Sequence, residues 1–163
     1  MKSKIGANIE NLLKKVEKNN TGVYSKTPML IATLNKEISD IVGDQLVHIS
    51  EFVIAKIKGL IPELDGHKEI TNDLFLKLPK LLGRPFEILT DTRANRKFLF
   101  ITISPRTEMV VEVRRFESGM TEINTFHLVS IDELKRLERK FPVVYSESAE
   151  TPISSDASGS LSR

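Results

Sequence analysis

The chain has 163 residues and a net charge of +2, which fits one domain with a terminal extension, large enough to bury a core without metals or disulfides. It has no cysteine, which excludes thiol catalysis and thiolate sites, and its three histidines are widely spaced. We therefore expect no metal and no cofactor. No run approaches the about 18 apolar residues of a membrane span, and the N-terminal residues lack the apolar region of a signal peptide. These features predict a cytoplasmic protein without membrane contact, or one exported without a cleavable signal.

The charge is spread unevenly along the chain. Nine Lys or Arg residues stand against four Asp or Glu residues between Lys77 and Arg115. A basic block inside a nearly neutral chain indicates an anionic partner, with RNA and DNA among the candidates. The alternative is a sheet edge kept soluble by its Lys and Arg side chains.

The N-terminal half is predicted to be mostly helical. Apolar residues at spacings of three and four predict a helix over the first twenty residues, and apolar runs near 28–34 and 45–50 predict two short strands. A brief helix follows each strand, and the second of these carries Lys56 and stops before a proline. The polar turn around His67 leads into a leucine-rich helix that ends at Gly83.

Beyond Pro85 the apolar period changes from helical to two. Four strand candidates with short connections, which are typical of an antiparallel meander, follow as FEILTD, KFLFITI, EMVVEVRRF and TEINTFHLV. A helix over SIDELKRLERKF, with Ser130 as its cap, closes the domain. We predict an α+β fold in which a helical N-terminal half packs on a four-stranded antiparallel β-meander with a closing C-terminal helix.

The chain is predicted to contain three segments. These are an N-terminal helical extension over residues 1–22, a folded domain over 23–146 and a tail over 147–163. The tail is rich in serine and poor in apolar residues, and this composition is typical of disorder. The sequence leaves open whether the N-terminal helix docks on the domain or recruits a partner.

Alternation along the strands sorts polar side chains by face. Glu112 and Arg114 share a face of the third meander strand, and Ile123, Thr125 and His127 share a face of the fourth. A glutamate, an arginine, a threonine and a histidine would then gather on neighbouring strands if the register allows. The alternative for the first two residues is an ordinary cross-strand ion pair.

The order of elements from Pro28 to about Arg139 resembles the phage-associated barnase–EndoU–colicin–RelE-like (BECR fold) nucleases. The matching features are TPMLIATLNKEISDIVG, a strand ending in Ser50, a helix carrying Lys56, then His67 and LPKLLGRPFEIL, and a last strand INTFH before the C-terminal helix. Their combination and order carry the resemblance, which covers about two thirds of the chain. It implies that residues 23–146 form a toxin- or effector-like nuclease domain that cleaves RNA without a metal.

The family pattern has a lysine in the helix, a histidine soon after it and a threonine or serine in the last strand. Carried over to this chain, these roles fall on Lys56, His67 and Thr125. Some relatives instead place the histidine directly before a proline at the end of that helix, where this chain has Ile61. In that alignment the general base is missing, and the chain is a catalytically inactive RNA- or protein-binding module.

The chemistry that the resemblance implies is attack of the ribose 2′-hydroxyl on the adjacent phosphate, which gives a cyclic phosphate. An imidazole can transfer protons near neutral pH, so His67 and its rival His127 are the candidate proton-transfer groups. Lys56 and Arg114 would offset charge on the phosphoryl oxygens, and Thr125 would donate a hydrogen bond to one of them. Each residue also has an ordinary interpretation as a solvated or strand-favouring side chain. The implied partners are RNA, with tRNA among the candidates, and an immunity or antitoxin protein.

Overall fold

The computed structural model describes residues 4–67, 69–116 and 119–147, except for the side chains of residues 4–6. Residues 148–163 of the predicted tail lie outside these ranges. None of the helices described is both long and apolar enough to cross a membrane. The helices are α1 (Lys4–Lys18), α2 (Lys36–Val42), α3 (Glu51–Ile57), α4 (Asn72–Leu81) and α5 (Ile131–Lys140). The strands are β1 (Met29–Thr33), β2 (Leu46–Ile49), β3 (Glu87–Asp91), β4 (Arg96–Ser104), β5 (Thr107–Arg115), β6 (Thr121–Val129) and β7 (Val143–Ser146).

The fold is α+β, and its strands form one mixed sheet of seven in the order β1-β2-β6-β5-β4-β3-β7. The prediction of a four-stranded meander beneath a helical half, with a closing helix, is wrong. Strands β1 and β2 extend the sheet at one edge, and β7 follows α5 and pairs with β3 at the other. The parallel β2–β6 pairing joins positions as far apart as His48 and Glu122, so no local pattern in the sequence reveals it.

The main core lies on the sheet face that α1, α3 and α4 cover. Ile9 and Val16 of α1 are buried there, together with Ile54 of α3 and Phe75 of α4. The ring of Phe75 meets the edge of Phe126 from β6, with 5.0 Å between the centroids. The N-terminal helix therefore packs as part of the main core, which answers the question that the sequence left open.

The opposite sheet face, here called the α5 face, carries a smaller core. Leu89, Phe100 and Val110 pack there with Leu137 of α5. This helix runs from His127 at one end of the face to Phe98 near the other. Polar side chains of β5 and β6 lie beside this core on the same face, and the candidate site is formed along them.

A β-bulge in β6 corrects one prediction about the strand faces. The register with β5 shifts after Glu112, so that Ile123 and Thr125 pair with consecutive β5 residues and Asn124 is the extra residue. Ile123 consequently lies in the main core. Thr125 and His127 lie on the α5 face, so the prediction that all three share one face is wrong.

Candidate active site

Two histidines from distant parts of the chain stack on each other at β6. The ring centroids of His67 and His127 are 4.7 Å apart, and the angle between the ring planes is 25°. His67 belongs to the loop between α3 and α4, whereas His127 is on β6. The fold thus brings together the two histidines that the sequence offered as rival proton-transfer groups.

The loop that carries His67 folds back onto the end of α3. The backbone N–H of His67 donates to the carbonyl of Ile57 at 2.6 Å. Gly66 lies directly against Gly59, and a side chain at position 66 would collide with the Gly59 backbone. Ile61 packs against the main core. This is the position at which some of the nucleases that the sequence resembles carry their histidine. These contacts hold the imidazole beside the helix that supplies the predicted lysine.

His127 is held by a carboxylate from α5. Its Nε2 lies 3.0 Å from Oε2 of Glu133, whose own backbone N–H donates to the Ser130 hydroxyl at the helix cap. Because an ionised carboxylate only accepts, Nε2 is the donor of this bond. The other ring nitrogen, Nδ1, is buried and has no hydrogen-bond partner within the described residues. In this arrangement one ring nitrogen of His127 is bonded to Glu133, the other is buried, and the ring lies against His67.

Lys56 reaches from α3 to the bulge in β6. Its Nζ donates to the carbonyl of Asn124 at 2.7 Å. That carbonyl lies past the end of the β2–β6 pairing, which stops at Glu122. Burial lowers the pKa of Lys56 below its ordinary value, and the negative charge of Glu112 partly opposes this. The result is a partly desolvated ammonium at the open edge of β6.

Glu112 is nearly buried and anchors a polar network under the site. Its carboxylate accepts from the Arg96 guanidinium at 3.3 Å and from the Asn124 side chain at 2.8 Å. Arg96 also donates to Asp91 at 2.8 Å, which fixes the guanidinium between two carboxylates. Glu112 therefore forms the cross-strand ion pair that the sequence offered as its alternative, and its partner is Arg96.

The two remaining predicted site residues lie in different places. Thr125 is half-buried and lies opposite Glu112, two residues before His127. Arg114 pairs in the sheet with Glu122. Val110 is the β5 residue opposite His127, and Arg114 lies four residues, or about 13 Å, farther along β5. Thr125 therefore lies on the same strand face as His127, about 7 Å along β6, whereas Arg114 lies farther away.

His67 is the accessible imidazole of the pair, with 34% of its side chain exposed. Burial and the charges of His127 and Lys56 lower its pKa, whereas Glu69 and Glu133 oppose this change. The Nδ1 of His67 lies 3.9 Å from the Glu69 carboxylate. The lowered pKa of His67 favours the neutral ring, which is the form that can accept a proton.

Sequence reasoning missed three residues of the site, namely Arg96, Asn124 and Glu133. The spacing from Ser130 identifies Glu133 as a capping-box residue, which accounts for it without reference to a histidine. Asn124 reaches Glu112 because of the bulge, and no glycine or proline marks that bulge in the sequence. Only the basic block could have singled out Arg96, and that signal includes eight other cations.

Comparison of the chain with protein-family models, with curated proteins and with solved structures found no match. The function proposed for the chain therefore depends on the geometry of the site.

Proposed function

We propose that this protein is a metal-independent endoribonuclease, toxin- or effector-like, that uses the ribose 2′-hydroxyl as its nucleophile. The observation that carries the proposal is His67 stacked on His127 next to the partly buried ammonium of Lys56. Such cleavage needs a base for the 2′-hydroxyl, an acid for the leaving oxygen and positive charge near the phosphoryl oxygens. An accessible neutral imidazole and a desolvated lysine supply these three requirements.

His67 is the general base. Its Nε2 has no hydrogen-bond partner within the described part of the chain and takes the proton of the 2′-hydroxyl. The O2′–P bond then forms and closes the cyclic phosphate. Glu69 and Glu133 stabilise the resulting imidazolium, because both carboxylates favour the charged ring.

Lys56 is the general acid and the source of positive charge. As the P–O5′ bond breaks, the ammonium gives a proton to O5′ and leaves a free 5′-hydroxyl. A lowered pKa makes the ammonium a stronger acid than a solvated lysine. One N–H can stay on the Asn124 carbonyl while the others face the phosphate, because the ammonium has three donors. Thr125 donates to a non-bridging oxygen.

The two pKa shifts predict the pH dependence of cleavage. Activity should rise as His67 loses its proton, with a midpoint below the ordinary imidazole value of 6.5, because burial lowers the pKa of the ring. It should fall again as Lys56 deprotonates, at a pH below the ordinary 10.5. The measurement is kcat/KM against pH on a short RNA. A single limb with its midpoint above 6.5 would contradict the assignment of His67 as the base.

Incubation of purified protein with total RNA in EDTA tests the proposal. We expect cleavage, because no step in the mechanism uses a metal. Intact RNA would contradict the nuclease proposal and favour the second candidate, an inactive RNA- or protein-binding module. The observation in favour of that candidate is that Lys56 is already hydrogen-bonded to the chain itself.

The proposed substrate is cellular RNA, with tRNA among the candidates, and the proposed place of action is the cytoplasm. The absence of cysteine is compatible with a reducing compartment. A nuclease of this kind has to be restrained in the cell that makes it, so an immunity or antitoxin protein is the second proposed partner.

A further inference from the structure

A cavity of about 600 Å³ lies between the turn that joins β3 to β4 and the end of β5. The turn between β3 and β4 contributes Arg93 and Asn95 to it, and the end of β5 contributes Arg114 and Arg115. Phe116, directly after β5, supplies an aromatic wall. This cavity is separate from the histidine pair, and the mechanism above does not use it.

The cavity carries positive charge that the described chain does not neutralise. Neither Arg93 nor Arg114 forms an ion pair with any carboxylate in the described ranges, and both are exposed. Arg115 is committed to the carbonyl of Gly43 at 3.1 Å. Glu122 is the one carboxylate among the described lining residues, and two exposed guanidinium groups, those of Arg93 and Arg114, line the same cavity.

The guanidinium of Arg114 forms a cation–π contact with Phe116, with 5.3 Å from its central carbon to the ring centroid. This contact holds the guanidinium at the cavity wall, where Arg114 is exposed and can contact a ligand. Planar guanidinium groups stack on nucleobases and also pair with phosphate oxygens. A nucleotide offers both partners at once.

The cavity and the histidine pair lie along one sheet face. Arg114 and Glu112 are two residues apart on β5 and both lie on the α5 face. Thr125 lies opposite Glu112 and two residues before His127. Glu112 would repel a phosphate, but its charge is offset by Arg96. The separation of about 13 Å along β5 corresponds to roughly two to four nucleotides of an extended strand.

We propose that this cavity is a nucleotide subsite for single-stranded RNA, in which Arg93 and Arg114 hold a phosphate and the supported guanidinium of Arg114 stacks on a base. The proposal rests on the proposed ribonuclease function and extends it to the strand that runs from the cleavage site. The cavity sets a minimum length for good substrates, because a dinucleotide at His67 cannot reach it.

Binding of 2′-O-methyl oligonucleotides, which lack the nucleophile, tests the subsite without relying on cleavage. For an oligonucleotide of about eight residues we expect Arg114→Gln to weaken binding about five- to tenfold and to reduce the salt slope by about one. Arg114→Lys should keep the slope but weaken binding, because it retains charge and loses the plane. Arg106→Gln, at the opposite turn between β4 and β5, is the matched control and should change little.

The outcomes separate the subsite from the nuclease proposal. Equal losses for Arg114→Gln and Arg106→Gln, or no loss for either, would overturn the subsite. If Arg114→Gln alone weakens binding while wild-type protein leaves RNA intact in EDTA, the subsite holds and the nuclease proposal fails. The subsite would also be overturned if Arg114→Gln weakened the binding of a two-residue oligonucleotide as much as that of the longer one, because the short one should not reach the cavity.

Discussion

A His67→Ala variant is expected to cleave RNA about 10²- to 10⁴-fold more slowly than wild-type protein, because a positioned general base contributes on that scale. The imidazole is removed while the backbone hydrogen bond from residue 67 to Ile57 is kept. The measurement is the initial rate of cleavage of a short RNA in EDTA, together with circular dichroism to show that the fold is intact.

His48→Ala is the matched control for this variant. His48 bonds through Nδ1 to the Thr121 carbonyl at 3.2 Å and lies outside the proposed catalytic residues. We expect it to keep near-wild-type activity. If His67→Ala cleaves as fast as His48→Ala, then His67 is not the base.

The second large effect concerns stability and lies away from the site. Glu87 in β3 is buried beside Glu138 of α5, and desolvation, followed by the hydrogen bond and the charge of Glu138, raises its pKa to about 7. The folded protein therefore keeps the Glu87 proton up to a higher pH than the unfolded chain, in which Glu87 has its ordinary pKa of 4.5. The free energy of unfolding should fall as pH rises from about 4.5 to 7.

Glu87→Gln is expected to raise the free energy of unfolding at pH 8 by on the order of 1–3 kcal/mol, because the amide needs no proton to stay neutral. The gain should shrink toward pH 5, where wild-type Glu87 is protonated in the folded state. Urea unfolding at the two pH values measures the difference. Glu108→Gln, a partly exposed strand carboxylate, is the control, and an equal gain there would contradict the buried-carboxyl account.

Local sequence patterns predicted most of the segments that form helices and strands, but they did not predict how the strands pair. The segments after Pro85 that become β3 to β6 are recognisable because each is a short run of apolar and β-favouring residues between turn residues. The parallel pairing of β2 with β6 covers only two residue pairs and depends on packing between distant segments. Strand β7 has four residues that do not alternate between buried and exposed, so a period of two does not identify it.

The candidate site was predictable only in part, for similar reasons. Lys56 and His67 stand out in the sequence as a cation on a helix and an imidazole in a polar turn. Their contacts depend on the bulge at Asn124 and on the close approach of Gly66, and spacing along the chain encodes neither feature. Alternation correctly predicted the sheet face on which Arg114 lies. It could not predict how far along the strand Arg114 lies from the histidines.

Cleavage of a DNA oligonucleotide that contains one ribonucleotide tests the central claim most directly. In EDTA, the proposed mechanism predicts a single cut on the 3′ side of that ribose, because only this position has a 2′-hydroxyl for His67 to deprotonate. The products should carry a 2′,3′-cyclic phosphate and a free 5′-hydroxyl. No cleavage, cuts elsewhere along the DNA, or a product with a 5′-phosphate would contradict it.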